Sequence, residues 1–148
     1  MARNIWKPGR RLFSTAAFLM ILTSIAHTLG IVASKPETAA EARVIAEMSG
    51  LRLPMGMGMI PSLMDVYWAF AFSMSVTFAA LGVINLVLAA GAETPARLLR
   101  RAGWVNALWV AAFMIVGWAY RVPPPLIFGA LIEAFVLAGL IATRRSIK

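Results

Sequence analysis

Polar and apolar positions in this chain do not alternate; they separate into blocks. Four apolar blocks stand out, at residues 12–32, 66–90, 102–120 and 126–143. Each meets the roughly 17–25 residues that a helix needs to cross ~30 Å of hydrocarbon. A spanning segment must also satisfy its own backbone hydrogen bonds, which makes all four helical. The pattern therefore predicts an all-α fold: a four-transmembrane-helix bundle forming one integral membrane domain over residues 1–148. The first block follows basic residues and ends at Val32-Ala33-Ser34, the outline of a secretory signal. It is longer than the ~7–15 residues of a signal core, so it is expected to be an uncleaved span.

The connections differ in kind. Residues 91–101 read as a short turn in which Thr94-Pro95 opens a basic helical turn through Arg97, Arg100 and Arg101. Pro123-Pro124-Pro125 reads as a very short hairpin that ends the third helix. The long connection is residues 33–64. Within it, 36–49 is predicted to be an amphipathic helix with Pro36 in first position and Gly50 just past its end. Glu37, Glu41, Arg43 and Glu47 form its polar side, and Ala40, Val44, Ile45 and Met48 its apolar side. Such a helix would lie along the membrane interface or cap the bundle.

Composition sharpens the class. Of 148 residues, 61 % are hydrophobic and 14 % charged, with a mean hydropathy of +0.81. Soluble domains carry about 25 % charged residues, so an ordinary cytosolic enzyme, a disordered protein and a free nucleic-acid binder are excluded. The net charge of +8 then reports topology. With both termini inside, the cytoplasmic face holds Arg3, Lys7, Arg10, Arg11, Arg97, Arg100, Arg101, Arg144, Arg145 and Lys148. The opposite face holds Lys35, Arg43, Arg52 and Arg121. This bias and the even span count predict a multi-pass protein of a bacterial cytoplasmic (inner) membrane with both termini cytoplasmic. The absence of Cys and the presence of one His remove disulfides, thiolate metal sites, iron–sulfur ligation and an intrachain bis-His haem. No cofactor and no metal site is expected. The Met55, Met57, Met59 run suits soft metals by donor type, but without Cys or a His cluster it reads as an interface-seeking loop.

Six residues are candidates for chemistry or contact. Glu133 lies near the middle of the fourth span, where an ionised side chain costs at least ~2.5–3.5 kcal/mol. It is either a proton-binding carboxyl or a protonated one hydrogen-bonded to Asn106, Ser73 or Thr77 as packing glue. His27 shares a helix face with Thr23 and Ser24 near the outer end of the first span. It reads as a general base or relay, or as a neutral side chain satisfied by neighbours. Asp65 opens the second span beside Tyr67 and Trp68. It would orient His27 across the bundle, or either Ser62 or Asp65 would be the N-cap of the helix. Arg121 would pair with Asp65 or snorkel to headgroups. Tyr67, Asn106 and Arg121 are candidate ligand or partner contacts. Trp6, Trp68, Trp104, Trp118 and Tyr120 mark span ends as an aromatic belt does.

Small residues recur every four positions at Ala69/Ser73/Thr77, Ala71/Ser75/Ala79, Gly103/Ala107/Ala111 and Ala130/Ala134/Ala138. Such stripes allow close helix approach. Two of them on one helix exceed what a small monomeric bundle needs, which points to a homo-oligomer or other membrane subunits.

His27-Thr28-Leu29-Gly30 and Ser62-Leu63-Met64-Asp65-Val66-Tyr67 together resemble a family of small bacterial four-helix integral membrane proteins. That family carries His-Thr-Leu-Gly at the end of helix one and Ser-x-x-Asp-x-Tyr entering helix two. This chain has Trp68-Ala69 where the family has an aromatic residue followed by Gly. The resemblance implies the fold and draws attention to His27 and Asp65 as a pair; it implies no mechanism.

Three function classes remain. One is an accessory or interaction subunit of a membrane assembly, needing packing faces and no reactive site. Another is an enzyme or binder for a lipophilic small molecule, using His27, Asp65 and Glu133. The third is a dimeric proton-coupled exporter similar in size to the small multidrug transporters, using Glu133, although those proteins carry their membrane glutamate in the first helix. The lipid bilayer is a partner in every case and nucleic acid in none.

The charge bias generates a topology prediction. Reporter fusions after Gly91 and at the C-terminus should read cytoplasmic, and a fusion within 38–60 external. A cytoplasmic signal from the long connection would overturn the orientation.

Overall fold

Where the apolar blocks lie, long helices form. The computed structural model describes residues 8–91 and 93–145, with backbone alone for 144 and 145. It contains α1 (Pro8–Ala33), α2 (Ala39–Gly50), α3 (Leu63–Ala90), α4 (Ala96–Ala119) and α5 (Pro123–Arg145). Among the described residues there is no strand, only one isolated antiparallel bridge between Arg52 and Ser62. Helices α1, α3, α4 and α5 are each long and apolar enough to cross a membrane. Arg3, Trp6, Lys7 and Lys148, counted above for charge and belt, lie outside the described residues, as do the side chains of Arg144 and Arg145.

Helices α1 and α3 start a few residues before their apolar blocks, at Pro8 and Leu63, and three other boundaries differ from expectation for a local reason. The basic turn at Arg97, Arg100 and Arg101 is continuous with the third span, so α4 starts at Ala96. Pro123-Pro124-Pro125 is not a loop but the first turn of α5. The amide hydrogens that proline lacks are those a first turn leaves unpaired anyway. Helix α2 starts at Ala39 rather than 36, because Thr38 is its cap: the Thr38 hydroxyl accepts from the Glu41 N–H at 3.2 Å. Glu41 returns the favour, its carboxylate accepting from the Glu37 N–H at 2.7 Å, a variant of the capping box.

With the prolines inside α5, the reversal from α4 falls to three residues. The Val122 N–H donates to Gly117 O at 2.8 Å and the Arg121 N–H to Trp118 O at 3.1 Å. This is the paired bonding of a Schellman ending. Arg121 holds its left-handed position at φ 55°, where glycine would be usual. The side chain sits exposed at the turn.

Residue contacts divide the chain into two compact units. One comprises residues 1–23 with 78–148, the other Ser24–Thr77. In the first unit the N-terminal part of α1, the C-terminal part of α3, α4 and α5 pack on small residues. Phe13, 3 % exposed, fills the space left by Gly103 and Gly139: a side chain at Gly103 would meet its ring and Leu140, and one at Gly139 would touch its ring. Gly82 lies against the Ala17 carbonyl and Ile21. Phe78 meets Trp109 and Phe113 edge-on, with ring centroids 4.7 and 5.0 Å away. At the α3–α4 turn the Arg10 guanidinium donates to three carbonyls, Ala89 O at 3.1 Å, Gly91 O at 2.6 Å and Thr94 O at 2.5 Å. These are carbonyls that the end of α3 and the turn leave without helical partners.

In the second unit, Ser24 on α1 donates to Ser75 O on α3 at 2.7 Å. Residues 51–63 form a narrow hairpin held by Leu63 N–H to Leu51 O, Leu53 N–H to Pro61 O and Met55 N–H to Met59 O, at 2.9–3.1 Å. No residue of α2 is buried.

Glycine position separates packing from propensity. A Cβ at Gly82 would stand 2.8 Å from a backbone oxygen, whereas one at Gly30 meets nothing within 4 Å. Gly82→Ala should therefore lower stability by about 1–3 kcal/mol, while Gly30→Ala should be neutral or raise it by up to about 1 kcal/mol. Thermal unfolding in one detergent checks both; equal effects would contradict this packing.

Candidate functional site

Helix midpoints are the driest positions a membrane protein offers, and polar side chains there need partners. Asn85 on α3 and Asn106 on α4, both buried, meet this need reciprocally. Asn85 Nδ2 donates to Asn106 Oδ1 at 3.1 Å, and Asn106 Nδ2 to Asn85 Oδ1 at 2.8 Å. Asn85 Nδ2 also lies 3.7 Å from Met20 Sδ. Asn106 was a candidate partner for Glu133; the structure gives it to Asn85, which the sequence reading did not single out. One polar residue in an apolar helix signals a need for a partner, but not which helix supplies it.

Glu133 stands ten residues from either end of its span, Pro123–Thr143. It is half-buried, between Ile132 and the inward-facing Val136, both of which are 1 % exposed. Its Oε2 is buried and has no hydrogen-bond partner. The packing of Gly129 on Met114 and of Gly103 on Leu140 sets α4 and α5 antiparallel and places Glu133 level with Val110. That is one turn of α4, about 6 Å, from Asn106. The other two expected partners are also committed elsewhere: Ser73 donates to Ala69 O at 2.6 Å and Thr77 to Ser73 O at 2.8 Å. The packing-glue reading through these three residues does not hold for Oε2.

His27 is half-buried on α1, and its Nε2 is buried without a partner. The hydroxyls expected beside it are in use. Thr23 donates to Leu19 O at 2.8 Å, Thr28 to Ser24 O at 2.9 Å, and Ser24 to Ser75 O. Ser75 Oγ is likewise buried and unpartnered.

Asp65 is exposed and tied to Ser62. Asp65 Oδ2 accepts from the Ser62 N–H at 2.8 Å and from its hydroxyl at 2.7 Å. The Asp65 N–H donates to Ser62 Oγ at 3.1 Å. This is a reciprocal capping box at the start of α3, so the Ser-x-x-Asp part of the motif has a structural explanation in the helix entry. No hydrogen bond joins His27 to Asp65 among the described residues. Tyr67 is exposed and packs edge-on to Trp68, 5.4 Å between ring centroids; Trp68 in turn stacks on Phe72 at 6.0 Å. No group of three or more His, Cys, Asp or Glu placed to hold a metal occurs among the described residues. What the candidates offer chemically is thus a buried, unpartnered carboxyl oxygen in the first unit and, separately, a buried, unpartnered imidazole nitrogen in the second.

Comparison with family models, with curated proteins and with solved structures finds no match.

The Asn85–Asn106 pair yields a double-mutant prediction. Asn85→Leu alone leaves the Asn106 amide unpaired and should destabilise by about 1–2 kcal/mol. Adding Asn106→Leu should recover part of the loss, because no polar group is then stranded. Additive losses in a detergent unfolding series would show that the two amides do not depend on each other.

Proposed function

We propose that this chain is a multi-pass protein of a bacterial cytoplasmic membrane, both termini inside, working as an interaction subunit of a membrane assembly. The observation that carries this reading is a bare stripe on α3. Of its two small-residue rows, Ala71, Ser75 and Ala79 are buried or half-buried, whereas Ala69, Ser73 and Thr77 are exposed. The exposed row is chemically quiet, since Ser73 and Thr77 spend their hydroxyls on carbonyls of their own helix. What remains is a shallow channel between the large exposed side chains of Phe70 and Val76. Lipid tails gain little there, while another helix gains close backbone contact. Ala130 and Ala134 give α5 a similar exposed row. The occupant of the stripe is a second copy or another subunit.

A second reading has its own observation. The unpartnered Oε2 of Glu133 at the span midpoint favours a proton-binding carboxyl, as a proton-coupled exporter would need.

Native mass spectrometry after gentle solubilisation tests both. Ser73→Leu should weaken association by about tenfold or more, equivalent to about 1.4 kcal/mol, while the chain's own unfolding temperature stays unchanged. A wild-type chain that flies alone, unaltered by Ser73→Leu, would sink the subunit reading. Glu133→Gln should leave assembly intact in the subunit reading. In the exporter reading it should abolish proton-linked transport in vesicles while the protein accumulates normally.

A further inference from the structure

The hairpin between α2 and α3 presents apolar side chains where a soluble loop would present polar ones. Arg52 and Asp65 flank it, and the twelve residues 53–64 carry no charge. At its tip Gly56, Met57 and Gly58 all take left-handed backbone conformations, φ 85°, 48° and 76°. Glycine or asparagine occupies such a position with less strain than methionine. Met57 is nevertheless there, 92 % exposed, and Met55, Met59 and Ile60 beside it are each more than half exposed. Met57 thus presents nearly its whole side chain, and its neighbours about half of theirs, away from the chain.

The hairpin's base gives its level relative to the bilayer. Ser62, in the bridge with Arg52, precedes Tyr67 and Trp68 by about five residues, or ~7 Å of helix. Those aromatics mark the membrane–water boundary in a span of this kind. A hairpin arm of five residues reaches about 16 Å, longer than the distance from the base to the boundary layer, so a tip turned toward the bilayer enters it. Charged residues at the base and a charge-free apolar tip match the division between headgroups and acyl chains.

We propose that residues 55–60 are a lipid-binding tip that inserts Met55, Met57, Met59 and Ile60 into the leaflet at the end of the bundle where α3 begins. The surface it fits is a neutral phospholipid one, because the tip has no charge with which to select anionic headgroups. This goes beyond the subunit reading and does not depend on it.

The chain has no cysteine, so single cysteines can carry a nitroxide without background. Met57→Cys and, separately, Met59→Cys are labelled in phosphatidylcholine vesicles, and relaxation by oxygen is compared with relaxation by a water-soluble nickel chelate. At both positions oxygen should dominate several-fold, as at Leu108→Cys on the exposed face of α4 and unlike Glu37→Cys ahead of α2. Met57→Asp should shift the balance at a label on residue 59 toward the chelate. Dominance of the chelate at both 57 and 59 would place the tip in water and overturn the proposal. Exclusion of both reagents would overturn it equally, since the tip would then be covered by protein.

Discussion

A polar group inside a membrane has no solvent to fall back on, and most of this structure follows from that constraint. It makes the four long segments helical, because a helix answers its own amides. It explains why serines and threonines within the spans bond to carbonyls one turn back, as Thr15, Thr23, Thr28, Ser73, Thr77 and Thr143 do. Helix ends recruit side chains for a related reason, since their last amides and carbonyls have no helical partner: Thr38 with Glu41 at α2, Ser62 with Asp65 at α3, and Arg10 against three carbonyls at the α3–α4 turn. The Asn85–Asn106 pair is the same rule applied between helices.

Packing in the first unit obeys a second constraint. Between apolar helices in lipid there is little hydrophobic drive, so contact must come from close fit. Glycines supply the room and large side chains use it, Phe13 at Gly103 and Gly139, Met114 at Gly129, and the Ala17 backbone at Gly82. The polar pair and the glycine contacts act together. Reciprocal amide bonds fix the rotation of α3 against α4, and the glycines fix how near neighbouring helices come. Neither alone would specify one arrangement, since apolar helices can slide past one another at small cost.

These two constraints differ in how far a sequence reveals them. Span positions were legible because hydropathy is a one-dimensional property, and all four blocks became helices. Helix ends were less so. Arg97, Arg100 and Arg101 are polar yet helical, and Pro123 to Pro125 punctuate a chain in one context and open a helix in another. The capping boxes at Thr38 and Ser62 were legible in principle, being three-residue spacings; Asp65 nevertheless drew attention as a possible site residue because it stands beside an aromatic pair. The partner of Asn106 was not legible. It depends on helix rotation, which apolar sequences encode in the placing of glycines and not in any local motif.

Against this background the exceptions acquire meaning. Where nearly every buried polar group has an answer within reach, His27 Nε2, Ser75 Oγ and Glu133 Oε2 have none. Ser75 can turn its hydroxyl, and an imidazole is neutral in one of its forms. Glu133 is neutral only when its carboxyl carries a proton, because its charged form is costly at mid-span. Asn106 lies only one turn away along α4, but its Oδ1 already accepts from Asn85 and its Nδ2 already donates there. The pair thus uses one donor and one acceptor site of each amide within itself. The close contacts of α5 are made by Gly129 on Met114 and by Gly139 on Phe13, and residue 133 stands outside them.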